Sequence, residues 1–433
     1  MSEPGRGPGP GPDDPLRIAY LTYRGKPHVG GQGVYTRHLT KALVDLGHHV
    51  EVLGGQPYPV LDPRVPLVEL RSLDIFNDQY PGRFPAYWEF KDWTDAVEVL
   101  QFSTGTFSEP LAFSLRAWRH LKGRVGDFDL VHDNQCLGYG VLAIEKLLPT
   151  IVTLHHPITV DRRLEKAQAP NWRKRLSVGR WYSFVVMQAR VARRMPRIVV
   201  VSENSIRDIN ADMGVPLENM RLVPVGVDPE LFRPLPEVAR VPGRLITTAS
   251  ADVAMKGLSF LLEAMAKLRT EREVTLTVIG RPKPGGRSAD AIAKLGLTDA
   301  VTFVAGVSDE RIVELYAEAE LAVVPSLYEG FSLPAIEAMA TGTCLVATTG
   351  GALPEVTGAD GNTVLSCPPG DADALAVTLR RGLDDAGLRE RVGLAGRDRV
   401  VSRWSWRHTA LATVEQYREV LDLRTTRDNA KAH

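Results

Sequence analysis

Cysteine is scarce in this chain. Its 433 residues hold three, Cys136, Cys344 and Cys367, which are far apart, odd in number and without a C-x-x-C pair. That argues against a disulfide framework and a structural zinc site, and fits reduced thiols in a cytoplasmic protein. Net charge is missing too. Lysine plus arginine number 52 and aspartate plus glutamate 52, so no nucleic-acid partner is expected. No apolar run reaches the roughly 18 residues of a spanning helix. Residues 1–15, MSEPGRGPGPGPDDP, carry no apolar segment, so they do not read as a signal peptide; their composition predicts a disordered tail. The dinucleotide fingerprint G-x-G-x-x-G is also absent: the N-terminal glycines read GGQG, and no acid follows the second apolar run where NAD enzymes place one.

What is present is a doubled pattern. At this length two domains of roughly 200 residues are the default. The apolar run 16–21, a glycine-rich turn at 24–33, a helix-like stretch 34–46 and a second apolar run 50–53 open a doubly wound parallel sheet. Further strands are expected at 129–131, 150–154, 197–202 and 221–225. The proline-rich FRPLPEVARVPG, 232–243, reads as a linker. After it the pattern restarts, with strands at 244–249, 274–279, 301–305, 321–324 and 343–347 and a helix at 258–269. The expected fold is therefore α/β, two Rossmann-like domains facing across a central cleft. Residues 16–231 form the first domain and 232–405 the second.

Two stretches depart from that pattern. Aromatics crowd 70–124, among them Phe76, Tyr80, Phe84, Trp88, Trp93, Phe107 and Trp118. Packing of an insertion over the sheet and an acceptor-binding surface are both open readings. From Arg162 to Arg197 eleven Lys/Arg face one acid, Glu165, with Trp172, Trp181 and Tyr182 interleaved. A solvated helix face is the plain reading; peripheral contact with an anionic membrane, on its cytoplasmic side, or with a phosphorylated acceptor is the alternative.

The densest chemistry lies in YEGFSLPAIEAMATGTCLVATTGGALPEV, 328–356. Glu329 sits in a glycine-containing loop after an apolar strand, and Pro334 suits the first turn of a helix. Glu337 follows within that helix. A carboxylate accepts two hydrogen bonds at fixed angles, which suits a vicinal diol, and the helix start offers backbone N–H groups to phosphate or hydroxyls. The plain alternative is a glutamate complementing the helix dipole and another solvated in a loop.

The whole string closely resembles the E-x7-E signature of the family-4 retaining glycosyltransferases of the two-Rossmann (GT-B) type, matching at Glu329, Gly330, Phe331, Pro334, Glu337, Ala338, Met339, Ala340 and Gly342. Gly350, Gly351, Pro354 and Glu355 match the glycine-glycine segment with its glutamate that follows. The resemblance covers most of the chain: the N-terminal glycine loop, a T-x-H segment at 153–155, P-x-G-V-D ending at Asp228, and a K-G loop at Lys256. It implies that Glu337 holds the donor's ribose diol and Glu329 the hexose hydroxyls, with Gly330, Phe331, Ser332 and Leu333 lining the donor. Lys256 would contact the diphosphate, Gly30 and Gly31 would approach the donor's phosphate or sugar, and His155 would lie beside the transferred sugar, so that His155, Glu329 and Lys256 are the candidate catalytic residues. Where the family usually has G-R-x-x-x-x-K-G, this chain reads SADVAMKG, with Ala251 in the arginine's place; Arg281 is the candidate substitute cation. His156 stands where many members have aspartate. A C-terminal helix, 406–425, would return to the first domain, with Trp404 and Trp406 at the crossing.

The resemblance implies an enzyme that moves a hexose, with retention, from a nucleotide-sugar to a sugar, glycan or lipid-linked acceptor. The departing phosphate would deprotonate the acceptor hydroxyl. No cofactor and no metal is expected; Asp127-Phe-Asp129 spells D-x-D, but Asp129 begins a strand and reads as a turn acid. Two other readings share this fold, a nucleotide-sugar 2-epimerase and a non-catalytic nucleotide-sugar-binding protein. Product analysis without an acceptor separates the first from transfer, and binding without turnover would identify the second.

Overall fold

The most apolar runs of the chain become the strands of two sheets. The computed structural model describes residues 10–11, 13–25, 31–77, 82–248, 253–282 and 285–432; Gly30, Tyr80 and Ala251 lie outside them. The chain divides into two units. One comprises the chain up to Val201, Ile206–Val223 and the chain from Arg407; the other comprises Ser202–Ser205 and Pro224–Trp406.

The first unit carries β1 (Arg17–Thr22), β2 (His49–Gly54), β3 (Leu67–Glu69), β4 (Leu130–Asn134), β5 (Thr150–Leu154), β6 (Ile198–Val200) and β7 (Met220–Leu222). They form a parallel sheet in the order β3-β2-β1-β4-β5-β6-β7. Parallel strands are covered on both faces, so they read as unbroken apolar runs rather than alternating ones. Every residue of β4, β5 and β6 is buried. The covering helices are α1 (Gly31–Asp45), α2 (Trp93–Ser103), α3 (Glu109–Leu121), α4 (Tyr139–Leu147), α5 (Thr159–Ala167), α6 (Trp172–Trp181), α7 (Phe184–Ala192) and, from Ile206 onward, α8 (Glu203–Met213). Leu21, Phe113, Val131, Ile144, Val152, Val191 and Ile198 share one core, each such side chain contributing about 1.5–3 kcal/mol by leaving water.

The second unit repeats the plan with β8 (Val241–Thr248), β9 (Thr275–Ile279), β10 (Val301–Val304), β11 (Ala319–Val324), β12 (Leu345–Thr348) and β13 (Leu365–Cys367), in the parallel order β10-β9-β8-β11-β12-β13. Its helices are α9 (Leu258–Leu268), α10 (Arg287–Lys294), α11 (Asp309–Glu318), α12 (Leu333–Ala340), α13 (Leu353–Thr357), α14 (Ala372–Asp384) and α15 (Ala386–Arg403). The linker expected at 232–243 ends early, because Val241–Gly243 already belongs to β8. Pro242 is tolerated there since the β8–β11 register shifts between Ala319 and Leu321, and such irregularities spare a proline the ladder bond it cannot donate.

The last helix, α16 (Trp406–Ala432), lies from Arg407 onward in the first unit. There Tyr417 is fully buried and meets His132, while Glu419 pairs with the buried Arg197. In both sheets the strand order reverses once, between β1 and β4 and between β8 and β11. Open α/β sheets bind ligands at the carboxyl ends of the strands flanking such a switch point. The two switch points are therefore the places to look for candidate site residues.

Candidate functional site

In the second unit the switch point is made by two loops. After β8 a short turn, Ala254–Lys256, leads into α9 through Gly257, whose φ is +66°. A Cβ on Gly257 would stand 1.9 Å from the Pro325 carbonyl oxygen, so a side chain there would force apart the two loops that meet at this point. The partner loop runs from Pro325 to Ser332, between β11 and α12. The loops are tied by the Leu327 N–H donating to the Met255 carbonyl at 2.8 Å.

That joint brings Lys256 and Glu329 together. The Lys256 Nζ lies 2.8 and 3.1 Å from the two Glu329 oxygens, and the Ser326 hydroxyl donates to Oε1 at 2.6 Å. Glu329 is 7% exposed, and a carboxylate so enclosed needs this compensation. Sequence reasoning gave the two residues separate ligand groups and did not foresee the pair. Ser326 was missed as well; a serine three residues before a loop carboxylate was the available signal.

The rest of the signature packs around them. Ala352 N–H donates to the Glu329 carbonyl at 2.8 Å, and a Cβ on Gly351, φ +61°, would meet that carbonyl oxygen at 2.3 Å. Gly330 presents its carbonyl to the Ser202 and Ser205 hydroxyls at 2.6 and 3.2 Å. Phe331 is buried and meets the Trp404 ring edge-on at 5.6 Å. Ser332 holds φ +95° at the start of α12, and its buried hydroxyl has no partner among the described residues. Such a backbone in a non-glycine residue is strained by about 1–3 kcal/mol. Leu333 opens α12 and Glu337 lies on it, half-buried. Burial, and next to it the Glu337 carboxylate, push the Tyr316 phenol well above its usual range. The Glu355 carboxylate accepts from the backbone N–H of Glu203 and Asn204 at 2.9 and 3.2 Å, so it caps a helix start. Arg281 is exposed just past the carboxyl end of β9.

In the first unit the switch point gathers α1, the β4–α4 loop and the end of β5. Gly31 is the first residue of α1 and exposed, with open space where a Cβ would be. Nothing steric therefore requires glycine at that place. His155 follows β5. Its Nε2 lies 2.8 Å from Asn134 Oδ1, its backbone N–H donates to Gln135 Oε1 at 2.8 Å, and Tyr35 meets its ring edge-on at 4.7 Å. Burial, reinforced by His156, pulls the His155 imidazole down to about 3, so it is neutral at pH 7. His156 turns instead to Asp161 at 2.9 Å, at the start of α5. Behind this layer His132 bridges Tyr417 and Thr153 at 2.7 Å each. Asn134, Gln135 and Tyr35 were not singled out from sequence; a polar tail, HDNQ, on an otherwise apolar strand was the signal.

Asp133 has no such company. It is fully buried; one oxygen accepts from the Leu137 N–H at 2.9 Å and the other has no partner among the described residues. Burial, partly offset by the Leu137 and Cys136 N–H groups, lifts its carboxyl from the usual 3.8 to about 7. A folded-state value raised above the unfolded one gives stability that is full below about pH 4 and lost as pH rises through about 7. Asp133→Asn is therefore expected to match the parent near pH 4. At pH 8 it is expected to be more stable, by at most about 4 kcal/mol at about 1.4 kcal/mol per pH unit. Urea denaturation at the two pH values checks this, and an equal midpoint difference at both would contradict it.

The other acidic and basic features have structural partners. Asp129 binds the Arg17 backbone N–H and guanidinium, both at 2.7 Å, and Asp127 pairs with Arg124 at 2.8 Å. Among the described residues no three His, Cys, Asp or Glu side chains cluster as a metal site would need. Asp228 accepts from the N–H groups of Glu230 and Leu231, which fixes a turn. The basic stretch 162–197 is not one face. Arg163 pairs with Asp212 and Arg197 with Glu419, and Phe184, Val185 and Val191 of α7 enter the core. On α6, by contrast, Trp172 and Leu176 are exposed. No helix among the described residues is long and apolar enough to cross a membrane. The aromatic stretch is likewise divided: Phe76, Phe107 and Phe113 are buried, whereas Phe84, Tyr87, Trp88 and Trp93 are exposed.

Comparison with known proteins identifies the family and the fold. Residues 29–231 match the family described as Glycosyltransferase Family 4, and residues 237–399 that described as Glycosyl transferases group 1. The chain is 51% identical over 408 residues, 94% of this chain and 98% of that protein, to an MMP alpha-(1->4)-mannosyltransferase of Mycolicibacterium hassiacum. It is 27% identical over 414 residues, 93% of this chain and 94% of the other, to a glycogen synthase of Mycobacterium tuberculosis. Among solved structures it superposes on a sucrose-phosphate synthase from Thermosynechococcus elongatus with a TM-score of 0.72 at 24% identity, covering 94% of this chain and all of that one. The chain belongs to family 4 of the glycosyltransferases and is a glycosyltransferase with the GT-B fold of two Rossmann-like domains.

Proposed function

We propose that this enzyme is a retaining α-(1→4)-mannosyltransferase, moving mannose from a nucleotide-activated donor to the 4-hydroxyl of a sugar acceptor. The observation that carries the reading is the 51% identity, spread over 94% of the chain, with a protein named for that reaction. The local chemistry supports it. Lys256 places an ammonium at the switch point of the second sheet, where it stabilises the negative charge that develops as the nucleoside diphosphate departs. Glu329 orients the sugar hydroxyls, and Glu337, farther along α12, takes the ribose diol. Gly330, Phe331, Ser332 and Leu333 line the donor between them. With cationic charge supplied by Lys256, this reading needs neither metal nor cofactor. In the first unit His155 is neutral at working pH and therefore contacts the sugar without serving as a proton donor. The departing phosphate takes the proton of the acceptor hydroxyl.

Glu337→Ala tests the donor half of this reading. Loss of a charged acceptor for the ribose hydroxyls is expected to weaken nucleoside diphosphate binding about 10- to 100-fold, since such hydrogen bonds are worth about 1.5–3 kcal/mol. Titration calorimetry with a panel of nucleoside diphosphates measures it and identifies the base. Unchanged affinity across the panel would remove Glu337 from the donor site.

A further inference from the structure

We propose that Asn134 is a positioning residue: it holds the His155 imidazole as the neutral tautomer protonated at Nε2, so that Nδ1 meets a sugar hydroxyl as a hydrogen-bond acceptor. The sugar-side part rests on the reading above, in which His155 lies beside the transferred sugar.

The argument follows the protons through three side chains. The Thr36 hydroxyl donates to the Gln32 carbonyl at 2.8 Å, within α1, so toward Asn134 it offers a lone pair. The Asn134 side chain reaches that oxygen at 3.0 Å and the Gln32 carbonyl at 3.3 Å. Both neighbours are acceptors there, and only the NH2 end of the amide can satisfy them. Turning the amide over would set its oxygen against the Gln32 carbonyl oxygen and lose both bonds. The Asn134 oxygen must therefore face His155, and it does so at 2.8 Å from Nε2. A carbonyl oxygen cannot donate, so Nε2 carries the proton. In a neutral imidazole Nδ1 then has only a lone pair.

The surroundings keep this arrangement in place. Asn134 is fully buried and ends β4, directly opposite Thr153 of β5. Gln135, held at φ +58°, accepts from the His155 N–H and donates to the His156 carbonyl at 3.0 Å. Gln188 in turn donates to the Cys136 carbonyl at 3.1 Å. The loop that carries Asn134 is thus clamped to the segment that carries His155. Burial keeps the ring neutral. A neutral acceptor nitrogen distinguishes a hydroxyl, which can donate, from a phosphate oxygen, which cannot. That is the recognition required on the sugar side of a transfer site.

The test is a long-range 1H–15N correlation spectrum of histidine-labelled protein at pH 7, with His155 assigned by its loss in His155→Ala. The expected spectrum shows His155 protonated at Nε2. Asn134→Ala is expected to give a mixture of tautomers and to lower kcat/KM for transfer about tenfold, the equivalent of one hydrogen bond. Asn134→Asp keeps an oxygen facing Nε2 but sets its other oxygen against the Gln32 carbonyl, so it is expected to retain the Nε2–H tautomer at a cost in stability. A wild-type His155 protonated at Nδ1 would overturn the proposal without any variant, as would an unchanged tautomer in Asn134→Ala. The expected spectra combined with full activity in His155→Ala would overturn the sugar-side role and leave the tautomer assignment standing. The spectrum and the kinetics thus separate a failure of Asn134 from a failure of the functional reading.

Discussion

Replacing Lys256 by alanine is expected to lower kcat/KM for sugar transfer by about 10²–10³-fold, the cost of removing one preorganised group that stabilises transition-state charge. The effect on folding should be much smaller. The Lys256 side chain is 27% exposed, so water partly screens its attraction to Glu329, and Ser326 continues to hold one carboxylate oxygen. The two losses are separable by measuring steady-state nucleotide release alongside the urea midpoint. Lys256→Arg is a useful companion. It keeps the charge but spreads it over a larger planar group that does not reproduce the compact ammonium beside Glu329, so only partial recovery is expected. An alanine variant with nearly full turnover would mean that the pair with Glu329 is structural and that the diphosphate is met elsewhere.

The largest expected loss of stability lies away from that site, at Arg116. Its guanidinium is 2.6 Å from both Asp95 and Glu98, and the three side chains are almost wholly buried, Glu98 at 1% exposure. Asp95 also accepts from the Lys91 N–H at 2.7 Å at the start of α2. The triad therefore fastens α2 to α3. Arg116→Met is expected to cost about 3–5 kcal/mol, because it leaves two buried carboxylates without their cation. Burial already raises Glu98 above the usual carboxylate range, and Arg116 opposes that rise. Without the arginine the Glu98 carboxyl climbs further, and a raised acid loses its contribution as pH increases. The destabilisation should accordingly be greater at pH 8 than at pH 5, which denaturant midpoints at both values measure. A deficit that is the same at both would contradict the electrostatic cause.

The ease with which the sequence could be read followed the physics of each element. Long buried strands announce themselves as apolar runs, and Thr150–Leu154 was read to the residue. β3 and β13 were not read at all: each is a three-residue edge strand containing a polar residue, LVE and LSC, whereas the equally short β6 sits in the apolar run 198–201. The glycine loop after β1 drew attention by composition, yet Gly31 proves to be an open helix start, whereas Gly257 is where a side chain cannot fit. The signature carboxylates were legible because they are close in sequence. The Lys256–Glu329 pair was not, since its members lie 73 positions apart and meet only because β8 and β11 are neighbours. Asn134 was hidden for a related reason. It reads as the last residue of a strand, and its contact with His155 appears only when β4 and β5 pair.

The central claim is a defined transfer reaction, and one spectrum of its product tests it most directly. Incubating the enzyme with nucleotide-activated mannose and a sugar acceptor bearing a free 4-hydroxyl, then recording the 1H NMR spectrum of the purified product, reports both linkage and anomeric configuration. The expected result is one added mannose, α-linked to the acceptor's 4-position, formed in step with nucleoside diphosphate. A β-linked product, transfer to another hydroxyl only, or donor consumed with no sugar joined to the acceptor would contradict the account.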